Sequence, residues 1–238
     1  MSDGVVQQIP WVTPDPEAMN LGRSIRHDPR NRAFPIPTAG AVPTSDVRHR
    51  NYGRKLYQDG IGACTCFAAS HAVNFAPFRS ARRPARTLNA ADAFALYRIA
   101  SARDPWPGSW EPDDTGSSGQ AACQALIEKG YATGYEWAFG FDHGLSVIAE
   151  GPLMQGTWWT VDMFRPDASG LVHPTGSDAG GHEYLWVGVD VSARESWFLN
   201  SWQESAAKPW GRNGYFKMSW DDHRALLARG GDLVRPTL

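Results

Sequence analysis

The chain has 238 residues, enough for one large domain or for two lobes sharing an interface. Lysine and arginine number 23 against 25 aspartates and glutamates, and a net charge of −2 points neither to nucleic acid nor to an anionic membrane surface. Eleven tryptophans supply area for a substantial core, while three cysteines (Cys64, Cys66 and Cys123) make no disulfide framework.

The first residues, Met-Ser-Asp-Gly-Val-Val-Gln-Gln, contain no basic region followed by a long apolar run. No signal peptide or membrane span is visible, so a cytoplasmic location is expected. Release by lysis, or carriage in a phage particle, would leave the same trace. There is no paired CxxC and no HExxH, and the sequence calls for no metal or cofactor.

Residues 1–45 are rich in proline, charge and turn formers, with Arg23, Arg26, His27, Asp28, Arg30 and Arg32 in one polar cluster. They read as an extended arm lying on the body or as a partly disordered leader. Residues 46–238 read as the main domain, helical to about 133 and β-rich from about 134. A first helix is expected over 64–76, small and apolar nearly all round, ended by Pro77. A second runs from about Asn89 to Arg103, with Asn89 as cap. A third runs from about Ser118 to Lys129, with Cys123 in its core-facing stripe. Strands are expected at Gly144–Ile148, Leu153–Val161, His182–Val189, Ser196–Leu199 and Gly214–Ser219. Helices first and strands after argue for an α+β protein of two lobes with a cleft between them.

The run Gln58-Asp-Gly-Ile-Gly-Ala-Cys64 leads a glycine-broken loop into the first helix. A thiol at a helix start feels the positive end of the backbone dipole, which favours thiolate. Gln58 can supply a side-chain donor for a developing oxyanion. A lone cysteine among alanines also looks like a small core residue. Cys66 points away from Cys64 on the helix, so no disulfide joins them. His71 lies two turns along from Cys64, about 10 Å up the axis, and reads as structural.

Far along the chain, Gly180-Gly181-His182 opens one apolar strand and Asn200-Ser201-Trp202 closes another. If the two pair antiparallel, Asn200 orients the His182 imidazole and Trp202 covers that contact from water. Cysteine as nucleophile, histidine as base and asparagine as orienter is the logic of a nucleophilic triad. A thiolate–imidazolium pair of Cys64 and His182 is then expected, with the thiol pKa lowered and the histidine pKa raised. Gly116, Gly180 and Gly181 are candidates for lining the cleft beside Trp202. Ser117 is a capped turn or a further wall. Met154, Trp158 and Trp159 shape a pocket or sit in the core.

These residues carry a family resemblance. Gln58…Gly62-Ala63-Cys64, Gly181-His182, Asn200-Ser201-Trp202 and Trp210-Gly211-Arg212-Asn213-Gly214-Tyr215-Phe216 resemble, in order, the motifs of a papain-like cysteine peptidase. The resemblance covers about residues 46–238. It implies a helical left lobe and a β-barrel-like right lobe with the active-site cleft between. It also implies Cys64 as nucleophile, His182 as acid/base, Asn200 as orienter, and Gln58 with the Cys64 N–H as oxyanion hole. Thr65 stands where the family usually has an aromatic, Ile61 where a disulfide cysteine is common, and Gln203 where a glycine follows Asn-Ser-Trp. The Cys64-to-His182 spacing is shorter than the ~130–150 residues usual down to the later His and Asn.

The implied reaction is peptide-bond hydrolysis through a thioester, with a polypeptide as substrate and no nucleic-acid or membrane partner. Two rivals share the scaffold: an amidase for peptidoglycan or isopeptide bonds in a bacterial or phage lysis role, and a catalytically silent binding module. Acyl transfer of the transglutaminase kind is disfavoured by Asn200 where an aspartate is usual. The arm is short for an inhibitory propeptide, so either no zymogen stage or another form of control is expected. One hypothesis places the arm across the cleft.

Overall fold

The small side chains of Cys64–Asn74 let helix α1 sit inside the molecule, where all eleven of its residues are buried. A computed structural model describes residues 20–38, 41–81, 86–205 and 208–238. The first part of the arm, residues 1–19, lies outside the described residues. Two more helices pack against α1. Helix α2 (Ala90–Arg103) is started by Asn89 and Asp92 in a reciprocal capping box. Helix α3 (Gly119–Glu128) is capped by the Ser118 hydroxyl. Their apolar faces join α1 in one core of Phe67, Leu96, Tyr97, Cys123 and Leu126.

Strands β1 (Val47–Arg48), β2 (Gly134–Ala138), β3 (Leu153–Thr160), β4 (Asp178–Asp190), β5 (Glu195–Leu199), β8 (Tyr215–Ser219) and β9 (Asp232–Thr237) make one seven-stranded sheet. The order is β2-β9-β3-β4-β5-β8, with β1 also on β4, and every pairing is antiparallel. The fold is thus α+β. Among the described residues the sheet stays open rather than closing into a barrel. A short hairpin, β6 (Gln203–Ser205) with β7 (Lys208–Pro209), stands apart from it. Helices α4 (Phe141–Val147) and α5 (Trp220–Ala228) pack on the sheet. No described helix is long and apolar enough to cross a membrane.

Strand β4 is buried from Ala179 to Val189, because α1 covers one face and an aromatic core the other. Trp159 is the centre of that core, edge-on to Trp202 at 5.1 Å, His182 at 5.2 Å and Phe216 at 5.7 Å. Met154 and Trp159 are therefore core residues, and Trp158 is half-buried. His71 accepts a hydrogen bond from the Leu56 N–H (3.0 Å) and is structural, as expected.

The strand expected at Gly144–Ile148 is instead most of helix α4. Its buried side chains Phe141 and Leu145, with Ile148 at the C-cap, recur at helical intervals, and Asp142 sits favourably in the first turn. Strand β9 carries a proline and two charges and does not read as a strand, yet it runs between β2 and β3. Its register sets Asp232 opposite Gly156, which on its other side faces Glu183 of β4.

Candidate active site

Cys64 is the first residue of α1, and its sulfur is fully buried. The backbone N–H of Glu183 donates to that sulfur, which places it against the residue next to His182. His182 Nε2–H donates to Asn200 Oδ1 at 2.8 Å. The direction of that bond is fixed locally. Asn200 Oδ1 also accepts from the Ser201 N–H (2.7 Å), so the oxygen is an acceptor and Nε2 carries the proton. In neutral imidazole that leaves Nδ1 as the basic nitrogen. Nδ1 is buried and has no hydrogen-bond partner among the described residues. Trp202 stacks on the imidazole, with ring centres 4.1 Å apart and planes 22° apart.

Gln58 is buried and reaches this site through Ser201, the residue after Asn200. Its Oε1 accepts from the Ser201 hydroxyl at 2.6 Å, which turns the amide NH2 towards the cleft. There Nε2 donates to Ile61 O (2.6 Å) and Asn20 O (2.9 Å). The donor expected at an oxyanion hole thus already holds a peptide carbonyl.

That carbonyl belongs to the arm. Residues 20–24 run through the cleft in extended form. Trp202 Nε1 donates to Asn20 O (3.2 Å). The Arg23 N–H donates to Gly181 O (3.0 Å), the Ser117 N–H to Gly22 O (2.7 Å) and the Ser24 N–H to Ser117 O (2.7 Å). Leu21 lies against Gly180, and Gly22 O lies where a Gly116 Cβ would stand, at 2.4 Å. Gly116 has φ +70°, so this wall suits glycine twice over. The backbone of Gly22 lies near the Cys64 sulfur and favours its thiolate. The pairing of Arg23 with Ser117 is parallel.

In this closed form burial works against the expected thiolate–imidazolium pair. Burial pushes the Cys64 thiol up to about 12, against the Glu183, Gly22 and Thr65 N–H groups that favour thiolate. Burial likewise pushes His182 down to about 3, against its bond to Asn200. With the arm in place the site is dry, and a dry site holds thiol and imidazole neutral.

Four residues of the site escape the sequence reading. Asp114, in a proline-rich loop, accepts from the Gly62 N–H (2.9 Å), Tyr97 Oη (2.7 Å) and Asn20 Nδ2 (3.2 Å). Ser201 fixes the orientation of Gln58. Glu183 and Asp232 receive Arg23. A carboxylate inside the apolar run of β4 was the one signal that could have pointed to the last pair.

The buried neutral histidines set an acid limit. Burial holds His71 down to about 3 like His182, and His223 well below its ordinary value. Such a histidine binds its proton first in the unfolded chain. Its stabilising contribution is present above about pH 6.5 and is lost as pH falls, at about 1.4 kcal/mol per pH unit each. Two carboxyls oppose this, because burial raises Asp104 to about 6 and Glu183 well above its ordinary value. His49, also lowered by burial, adds a fourth histidine, and four histidines against two carboxyls leave a net loss of stability as pH falls from about 6 to about 4.5. The urea midpoint should therefore fall between pH 6 and pH 5. An unchanged or higher midpoint at pH 5 would contradict the neutral histidines.

This architecture is the papain-like cysteine-protease fold. Xylellain, a cysteine protease from Xylella fastidiosa, matches with a TM-score of 0.73 at 18% identity, over 95% of this chain and 99% of that one. Digestive procathepsin L 3 of Tenebrio molitor larval midgut matches with a TM-score of 0.60 at 15% identity, over 86% and 73% of the two chains. The Amb a 11 cysteine protease, a ragweed pollen allergen in its proform, matches with a TM-score of 0.60 at 15% identity, over 83% and 66%. No family model and no curated protein matches the sequence.

Proposed function

We propose that this protein is a cysteine peptidase that hydrolyses polypeptides through a thioester. The observation that carries the reading is the arm. An extended polypeptide occupies the cleft by main-chain hydrogen bonds to both walls, with one of its carbonyls on Gln58 Nε2. A cleft that grips backbone in this way suits a peptide substrate better than a sugar-linked one. In a substrate the attacked carbonyl carbon sits over Cys64. The sulfur forms a bond to it as the thiol proton passes to His182 Nδ1. The oxyanion takes the Gln58 amide and the Cys64 N–H, two donors fixed beforehand by Ser201 and by the start of α1. Collapse breaks the C–N bond, and His182 returns the proton to the departing amine. Water then attacks the thioester with His182 as base. Asn200 holds the imidazole in the tautomer that both steps need.

The test is covalent trapping followed by product analysis. A peptidyl epoxide should form one adduct, on Cys64, which is lost in His182→Ala. Casein should be cut to fragments with new α-amino groups, while peptidoglycan suspensions stay turbid. Labelling of Cys64, Cys66 and Cys123 at one slow common rate, or clearing of peptidoglycan without casein cleavage, would sink the proposal.

A further inference from the structure

Beside Cys64 the cleft contains a buried charged pocket that the chemistry above does not use. Its floor is a row across three strands: Glu183 on β4, Gly156 on β3 and Asp232 on β9. Side chains of directly opposed residues share one face of a sheet. A side chain on Gly156 would fill the space between the two acids. Its Cβ would stand 2.1 Å from Arg23 Nε and 2.6 Å from Asp232 Oδ1. The missing Cβ leaves a slot, and the arm's Arg23 guanidinium lies in it.

Arg23 Nη2 donates to Asp232 Oδ2 (2.6 Å) and to Gly230 O (3.0 Å), and Nε stands 3.8 Å from Glu183 Oε2. The Asp232 contact is a charge-assisted hydrogen bond, while burial and the neighbouring Asp232 push the Glu183 carboxyl well above its ordinary range. Both Glu183 oxygens, Asp232 Oδ1, and Arg23 Nε and Nη1 are buried without hydrogen-bond partners among the described residues. A guanidinium presents five donors in a planar fork, which suits acceptors on three sides.

The pocket's place along a substrate follows from the site. His182 protonates the leaving amine, and Trp202 stacks on His182, so the leaving half lies on the Trp202 side, where Asn20 lies now. The acyl half lies on the Ser117 and Gly181 side. The residue beside Gly62 and Cys64, where Gly22 lies, supplies the attacked carbonyl. Its neighbour towards the substrate's N-terminus lies where Arg23 does. We propose that Glu183 and Asp232, flanking Gly156, form a pocket that selects arginine in the substrate residue immediately before the one whose carbonyl Cys64 attacks. The substrate role rests on the peptidase reading; the selective binding of an arginine peptide does not.

Binding is therefore measured apart from turnover. The full chain carrying Cys64→Ala and Arg23→Ala is inert and has its own arginine removed from the slot. Three fluorescent peptides, identical except for arginine, citrulline or leucine at that residue, are titrated by polarisation. Citrulline keeps the shape of arginine and loses its charge. The arginine peptide should bind at least 10-fold tighter than either, and adding Asp232→Asn or Glu183→Gln should reduce that preference several-fold. Equal affinity for the three, or a preference untouched by both substitutions, overturns the pocket. If the double variant does not fold, the same three sequences are offered as fluorogenic substrates to the chain with its native arm. A kcat/KM order of arginine above citrulline and leucine supports the pocket, and a leucine preference overturns it. Arginine-selective binding without any cleavage by the native chain would keep the pocket and remove the peptidase reading.

Discussion

Replacing Cys64 with alanine is expected to remove peptide hydrolysis, by 10⁴-fold or more, while the fold stands. The magnitude follows from what the sulfur does. Gln58, the backbone N–H and substrate binding survive the substitution, and such parts alone leave only a small residue of the rate in enzymes of this logic. The fold should tolerate the change because alanine is the best helix former and Cys64 opens a helix whose neighbours are already small. The loss is a sulfur held neutral by burial, not an ion pair, so no charge is stranded. Two internal controls sharpen the result. Cys66 and Cys123 are fully buried and burial also raises their thiols, but Cys66 contacts Thr65 and Cys123 contacts Met154, away from His182. Cys66→Ala and Cys123→Ala should keep activity within about threefold. Initial rates on casein, with circular dichroism melts of all three variants, decide it. Turnover retained in Cys64→Ala, or its loss in Cys66→Ala with the fold intact, would move the nucleophile elsewhere.

The legible part of this molecule is the part specified locally. Asn89 is read as a cap because a cap is a contact within three residues, and α2 begins where it says; the third helix, expected from about Ser118, begins at Gly119 with Ser118 as its cap. Cys64 stands out because it opens a helix and Asn200 because it follows the end of β5, while Gln58 and His182 stand out by their glycine-rich surroundings; antiparallel pairing of β4 with β5 brings His182 and Asn200 together. Strand β9 and helix α4 were not legible. Strand β9 owes its conformation to β2 and β3 on either side, with Pro236 and Arg235 tolerated there by tertiary context. In α4 a short apolar run fits both periods, and only the distant Phe141 decides between them. The burial that opposes an ion pair is equally hidden from the sequence: dipole and partners favour thiolate and imidazolium, while burial of Cys64 and His182 beneath the arm favours the neutral forms. The row Glu183–Gly156–Asp232 becomes visible only once the register of three strands is known.

The same reasoning makes the arm the most responsive switch in the molecule, and Gly22→Leu is expected to raise kcat/KM by about 10- to 100-fold. At Gly22 the arm passes between two stretches of backbone. A Cβ there would stand 1.9 Å from Gly62 O and 2.3 Å from its carbon, which are main-chain atoms held by Asp114 and by the start of α1. The clash is with main chain rather than with a flexible side chain, so a side chain at 22 is expected to lift residues 20–24 from the cleft. Lifting them frees Gln58 Nε2, Trp202 Nε1, Gly181 O and the Ser117 peptide, the groups a substrate would use. It also admits water to Cys64 and His182, which relaxes the desolvation that keeps both neutral. An enzyme whose competent form is a small fraction f of the population shows an apparent affinity weakened by that fraction. Going from about 1–10% open to fully open gives the stated range. The variant should melt lower than the parent, since Arg23 leaves Asp232 when the arm lifts. A synthetic peptide of residues 20–28 added in trans should inhibit Gly22→Leu at concentrations that leave the parent unaffected. Unchanged kcat/KM in a folded Gly22→Leu chain, with no inhibition by that peptide, would mean that the arm leaves the cleft unaided and does not limit access. A rise in activity together with inhibition in trans would make residues 20–24 a built-in competitor for the substrate's place.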